Sequence, residues 1–299
     1  MSIVHYAPSI ALLGLALMGP ATSLAQFDPA KVWVEPTPVA ARFPDPQVRY
    51  TTPGFREGRT DFASHAEVLS FLSELERQSP HVRVESLGRS QQGRDLVAAV
   101  LSEQGRFEAS RPTVMIIGNQ HGNEPAGGEA VLVLAQQFSS GPSRELLKRV
   151  NLVLVPRGNP DGAERFARFT ANGIDINRDH LHLRTPEARA LAAATLRYRP
   201  QAVLDLHEFT VGARWVDKFN AVVKYDGLLQ PATVGNLDPD IAASAQKDYV
   251  DNIQDAFTRA GLQGYKFHTT PANNVSDHTV WMGGFNPIPV VTSAGCVRL

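Results

Sequence analysis

The sequence predicts an α/β fold: a single domain with a mostly parallel or mixed central sheet flanked by helices. Three observations lead there. Short apolar runs suited to strands buried on both faces, Val114–Ile116, Val150–Pro156 and Ala202–Leu206, alternate with longer segments of helical periodicity. Two of these runs end at a histidine or a histidine-bearing loop, as in open sheets that build their sites at the carboxyl ends of neighbouring strands. A chain of 299 residues, 43% of them hydrophobic, can also bury a substantial core in one domain.

Residues 1–25 read as a signal peptide. Ile10 to Met18 is apolar but too short to span a bilayer comfortably, and Ser23-Leu24-Ala25 has the small-x-small form of a cleavage site. The protein is therefore expected to be exported, periplasmic or secreted. Residues 26–60 form an extended lead-in rich in proline (Pro29, Pro36, Pro38, Pro44, Pro46, Pro53). The main domain is expected over residues 61–299. Asp61 begins a helix signal with Val68, Phe71, Leu72 and Leu75 in helical spacing. Val82–Leu87 and Leu96–Leu101 read as strands joined by the glycine-bounded loop Gly88–Asp95. Helices are expected at Ala126–Phe138 and Pro186–Arg197. Between them lie the turn Arg157–Gly162 and the polar stretch Arg168–Asp179, which is too interrupted for a core element; long loops of that kind are commonly functional.

Composition narrows the function. The 29 basic and 30 acidic residues leave no basic field for nucleic acid. Cys296 is the only cysteine, which excludes an intrachain disulfide and a multi-cysteine metal site.

What remains is a histidine and carboxylate constellation. His121 and Glu124 lie three positions apart in the loop after Val114–Ile116, and zinc accepts both ligand types at about 2.0–2.2 Å. Pro125 suits the first position of the following helix and biases Glu124 toward extended backbone, so both side chains can leave the loop together. A catalytic zinc needs a third protein ligand and an open position, and His207, ending the Ala202–Leu206 run, is the best candidate.

In order along the chain, Gly88-Arg89-Ser90-x-x-Gly93-Arg94, His121-x-x-Glu124, Asn159-Pro160-Asp161-Gly162, Asp175-x-Asn177-Arg178 and His207 resemble a zinc metallocarboxypeptidase of the carboxypeptidase A/B type. The resemblance covers about Phe62 to His207. It implies one zinc ion held by His121, Glu124 and His207. It also implies that Asn177 and Arg178 bind the free terminal carboxylate of a peptide, a task suited to the planar guanidinium fork. Arg168 matches the arginine that faces the developing oxyanion. The chain would then be a hydrolase that cleaves the C-terminal amide of peptides by metal-activated water, acting as a monomer without stable membrane insertion. Two other readings stand beside it: a zinc-dependent deacylase of small N-acyl amino acids, or a catalytically inactive zinc-binding or interaction protein.

The sequence departs from the family in one respect. The family's proton-shuttling glutamate sits on a strand late in the domain, whereas this chain has no glutamate after Glu208. Glu208 is expected to point away from His207 on extended backbone, and Asp277, beside His278, lies in a polar loop. No general base is assigned. The apolar run Ile288–Val291 is short, so the last strand is expected to be missing, the chain cut short and the domain incomplete at its C-terminal end. His180 and His182 are expected to be partly exposed.

Overall fold

A computed structural model of the chain describes residues 36–42, 50–208, 216, 219–221, 225–231, 238–266 and 290–295. The expected signal peptide, Asp277 and His278 lie outside the described residues. The described strands are β1 (Val82–Arg89), β2 (Asp95–Leu101), β3 (Thr113–Ile117), β4 (Asn151–Val155), β5 (Ala202–His207), β6 (Gly227–Pro231), β7 (Gly264–Lys266) and β8 (Val290–Gly295). They form one mixed sheet in the order β1-β2-β4-β3-β5-β8-β6-β7. The centre, β4-β3-β5-β8, is parallel. The β1-β2, β2-β4 and β6-β8 pairs are antiparallel.

The central strands are apolar at nearly every position because both faces are covered. Successive side chains point to opposite faces, so Ile116, Leu152 and Leu154 pack with Val68, Leu72 and Leu75 of α1 (His65–Gln78) and Val131, Leu132 and Ala135 of α2 (Pro125–Ser140). Met115, Ile117, Val153, Val155 and Val203 face the other way, onto Ala188, Leu191, Ala194 and Tyr198 of α3 (Pro186–Tyr198). Burial of each such Val or Leu is worth about 1.5–3 kcal/mol. This two-sided packing fixes where the carboxyl ends of β3 and β5 emerge.

Element boundaries follow local chemistry. The helix expected from Asp61 starts at His65 because Ser64 and Glu67 form a reciprocal capping box: Glu67 N–H donates to Ser64 Oγ at 3.2 Å and Ser64 N–H to Glu67 Oε2 at 2.8 Å. Part of the lead-in is anchored, since Thr52 Oγ1 and Gly54 N–H donate to buried Glu129 Oε2 of α2 at 3.3 and 3.2 Å. The hairpin loop after β1 is pinned by fully buried Asp161, which accepts from Ser90 Oγ (2.7 Å), Gln92 N–H (2.9 Å) and the Arg94 guanidinium (2.7 Å).

The expectation of a missing last strand is corrected. The run at Ile288–Val291 leads into β8, which lies between β5 and β6 with His207 paired to Ala294. Its short apolar stretch is long enough because it is paired along both edges.

Candidate metal centre

The loop after β3 is held by its own backbone. The parallel β3-β4 pairing continues past both strand ends: Gly118 N–H donates to Val155 O (2.8 Å), Gly158 N–H to Gly118 O (3.0 Å) and Asn159 N–H to Asn119 O (3.1 Å). Asn119 adopts φ +53°, a left-handed conformation that Asn tolerates. Its buried amide donates to His121 O at 2.8 Å and Glu124 O at 3.1 Å, bracing the turn from inside. At Gly122 a Cβ would stand 2.0 Å from the carbonyl carbon of Gly162, so only glycine lets this loop approach the Asn159–Gly162 turn.

On this frame His121, Glu124 and His207 converge, with one ligand atom from each within 4.8 Å of the others. All three are buried. His121 Nδ1 lies 2.8 Å from Glu124 Oε1, His207 Nδ1 lies 2.9 Å from Glu124 Oε2, and the two Nδ1 atoms are 3.1 Å apart. Each imidazole meets a carboxylate on its far side: His121 Nε2 is 3.1 Å from Asp175 Oδ1, and His207 Nε2 is 2.8 Å from Asp205 Oδ2. Both nitrogens of each ring thus meet a carboxylate; with a cation at the centre, Nδ1 would face it and Nε2 would keep its proton for the backing aspartate. Two nitrogens and a carboxylate aimed at one point, each histidine backed by an acceptor, form the donor set that zinc takes.

Charge agrees with that fit. Burial acts to raise Glu124, but hydrogen bonds from His121 and His207 outweigh it and hold the carboxyl at about 2. Asp175 and Asp205 are likewise held below the usual range against the effect of burial, Asp175 by His121 and Arg168 and Asp205 chiefly by His207. For His207, burial lowers the pKa, but Asp205 and Glu124 overcome it and push the imidazole up to about 10. Three carboxylates against Arg168 and a protonated His207 leave a local excess of one negative charge, and of two once a cation displaces that proton. The pocket favours a cation, and a divalent one matches its charge.

A model of the family described as zinc carboxypeptidase matches residues 68–279, most of the chain. The chain belongs to the zinc carboxypeptidase family. Carboxypeptidase 2 of Trichophyton tonsurans is 31% identical over 119 residues, which is 40% of this chain and 22% of that protein. The zinc carboxypeptidase of Saccharothrix mutabilis subsp. capreolus is 31% identical over 157 residues, 46% of this chain and 36% of that one. The aligned part of the chain thus spans about a fifth of the Trichophyton protein's length and about a third of the Saccharothrix protein's. The fold is that of the metallo-carboxypeptidase from Burkholderia cenocepacia, with TM-score 0.60 and 20% identity over 78% of this chain and 60% of that one. It is also that of carboxypeptidase A from Helicoverpa armigera, with TM-score 0.59 and 19% identity over 77% and 63% of the two chains.

The other expected site residues cluster around the three. Arg168 is half-buried and forks onto Asp175 Oδ2 through Nε (3.1 Å) and Nη2 (2.9 Å), while Nη1 reaches to 3.3 Å from His121 Nδ1. Asn177 places its amide 3.3 Å from His207 Nε2, and Arg178 Nη1 donates to Asn177 O at 3.0 Å. Both stand on the 3-10 turn Ile176–Arg178, whose first residue follows Asp175. His182 is exposed, as expected, whereas His180 is half-buried and bonded inward, Nε2 lying 2.8 Å from Gln120 Oε1.

Glu208 has a role the sequence reading missed. Glu124 is the N-cap of α2 yet makes no cap bond with its side chain. Glu208 does this instead, its Oε1 accepting Ala126 N–H at 2.6 Å, while its own N–H donates to Glu124 Oε2 at 3.2 Å. Capping by the residue that follows β5 frees Glu124 to face the histidines. Burial and neighbouring Glu124 push the Glu208 carboxyl up to about 7 despite the Ala126 hydrogen bond. Asp205 was also missed. Its signal was the i, i+2 spacing from His207, which puts both side chains on one face of a strand.

Proposed function

We propose that this chain is an exported hydrolase that removes the C-terminal residue of peptides bearing a free carboxylate, with one zinc ion held by His121, Glu124 and His207. The observation that carries the reading is the convergence of two Nδ1 atoms and the Glu124 carboxylate, each imidazole backed by its own aspartate. Zinc, when bound, supplies Lewis acidity toward the scissile carbonyl and a water nucleophile at neutral pH.

The chain's own residues supply placement. Asn177 and Arg178 take the terminal carboxylate, and their turn abuts the His207 imidazole, so a gripped chain end lies beside the centre. Arg168 donates to an oxyanion forming there, a role supported by its Asp175 fork and by Nη1 turned toward His121. Export rests on the apolar segment Ile10–Met18 and the Ser23-Leu24-Ala25 sequence. Among the described residues no helix is long and apolar enough to cross a membrane.

The test is zinc binding and hydrolysis of a panel of blocked dipeptides by the purified chain. Glu124→Ala is expected to lose both the metal and all turnover. Arg178→Ala is expected to raise KM about 10- to 100-fold, the scale of a lost charged hydrogen bond, with a smaller change in kcat. Stoichiometric zinc without turnover in the parent chain would overturn the hydrolase reading and leave a zinc-binding protein.

A further inference from the structure

We propose that Asp179 is a positioning residue for the carboxylate grip: it locks the turn bearing Asn177 and Arg178 to the start of α3, and so sets how tightly a peptide's terminal carboxylate is held. The inference rests on the reading of Asn177 and Arg178 as that grip.

The grip stands on a single 3-10 turn, Ile176–Arg178, which is too short to hold itself. Its start is fixed twice. Ile176 is fully buried in the core with Leu191 and Tyr198 of α3, and Asp175 Oδ1 accepts Asn177 N–H at 2.9 Å. Its end falls to Asp179, whose N–H closes the turn on Ile176 O at 2.9 Å.

The Asp179 side chain is 0% exposed, and both of its oxygens are occupied. Oδ2 accepts Thr185 N–H at 2.7 Å and Thr185 Oγ1 at 2.8 Å, while Oδ1 accepts Arg184 N–H at 3.1 Å and Arg184 Nε at 3.3 Å. These four bonds all go to Thr185 and Arg184, so Asp179 reaches the grip through the backbone. Burial acts to raise its carboxyl, but the Thr185 and Arg184 donors outweigh it and hold the group below the usual range.

The far end of the tie is firm. Thr185 is the N-cap of α3, its Oγ1 also accepting Ala188 N–H at 3.1 Å, and α3 is packed on the sheet through Ala188, Leu191 and Ala194. Between the two ends Leu183 adopts φ +51°, a left-handed conformation unfavourable for leucine. The loop keeps that conformation because Asp179 O accepts Leu183 N–H at 2.6 Å while its carboxylate takes the next two N–H groups. An asparagine at 179 keeps the shape but offers one acceptor oxygen and turns an NH2 group toward donors.

The experiment is a double-mutant cycle on the zinc-loaded full chain: parent, Asp179→Asn, Arg178→Ala and the double variant. KM and kcat are measured for blocked dipeptides, and zinc affinity by competition with a chromophoric chelator. Asp179→Asn is expected to raise KM about 10-fold, the scale of lost hydrogen bonds to a charged group, with a smaller change in kcat and parent-level zinc affinity. In the Arg178→Ala background the same substitution should raise KM by less than about twofold, because residues acting as one unit do not add. A merely structural role would give the full effect in both backgrounds. On the metal-free chain, Asp179→Asn should also speed hydrogen exchange at the Asn177 and Arg178 amides. Thr185→Ala should raise KM about threefold, the scale of one neutral hydrogen bond, and Thr185→Ser should return it to the parent value.

Unchanged KM in Asp179→Asn, additive effects in the cycle, or zinc affinity that falls together with KM overturns the proposal. If Asp179→Asn does not fold, the Thr185 pair decides: parent KM in Thr185→Ala, or no rescue by serine, overturns it equally. A parent chain without turnover, or one whose KM does not respond to Arg178→Ala, overturns the carboxylate-grip reading itself, and the inference falls with it.

Discussion

The two histidines reach one point from differently built regions. His207 is the last residue of β5, inside a ladder paired with β3 and β8, and its backing carboxylate, Asp205, is a near neighbour on the same strand. His121 sits beyond β3 in a loop without regular structure, and its carboxylate, Asp175, lies 54 positions away in another loop that must also hold Arg168. The strand-borne ligand needs little beyond its own sheet. The loop-borne one depends on Asn119, on Gly122 and on the Asn159–Gly162 turn being in place. Local geometry is cheap to specify on a strand, whereas a loop of the same accuracy requires contacts far apart in sequence.

The difference can be broken most forcefully at Gly122. Gly122→Ala puts a methyl group against the Gly162 backbone, where neither chain is a flexible side chain that can yield. The expected cost is about 3 kcal/mol of stability, with loss of zinc affinity, read by denaturant unfolding and chelator competition. If stability and affinity both stay at parent values, the loop is not the fragile half.

A sharper test is Asn119. Asn119→Ala removes two buried donors and strains the left-handed residue, and about 2 kcal/mol should be lost. Asn119→Gly relieves the strain but not the lost hydrogen bonds, so it should fall between parent and alanine variant in the same unfolding measurement. Equal losses in the two variants would mean that backbone conformation contributes nothing.

The smallest expected effect concerns Glu208, which joins the two regions. Its folded-state pKa, about 7, lies above the ordinary carboxylate value of 4.5, so the folded chain binds more protons than the unfolded chain between those limits. Stability should therefore fall as pH rises from 4.5 to 7. Glu208→Gln keeps an acceptor for Ala126 N–H and should flatten that part of the profile. A slope in the variant as steep as in the parent would show that another group titrates there.

Much of this was legible in the sequence. Strands β2 to β5 announce themselves because two-sided burial demands unbroken apolar runs. The three converging residues were legible because motifs at fixed spacing sit where such runs end. The start of the His65–Gln78 helix was misplaced by four residues, since apolar periodicity marks a helix face while the Ser64–Glu67 capping box marks its end. The β8 strand was undervalued because its short run acquires strand character only from neighbours on either side.

By itself the sequence determined the fold class, the zinc carboxypeptidase motifs and the identity of the three converging residues, because periodicity and motif spacing are local properties of the chain. Only the tertiary structure decided which carboxylate backs which imidazole, that Glu208 caps α2 so that Glu124 need not, and that Arg168 is held by Asp175. These are pairings between residues brought together by the sheet, and a hydrogen bond depends on distance and direction in space, which separation along the chain does not encode.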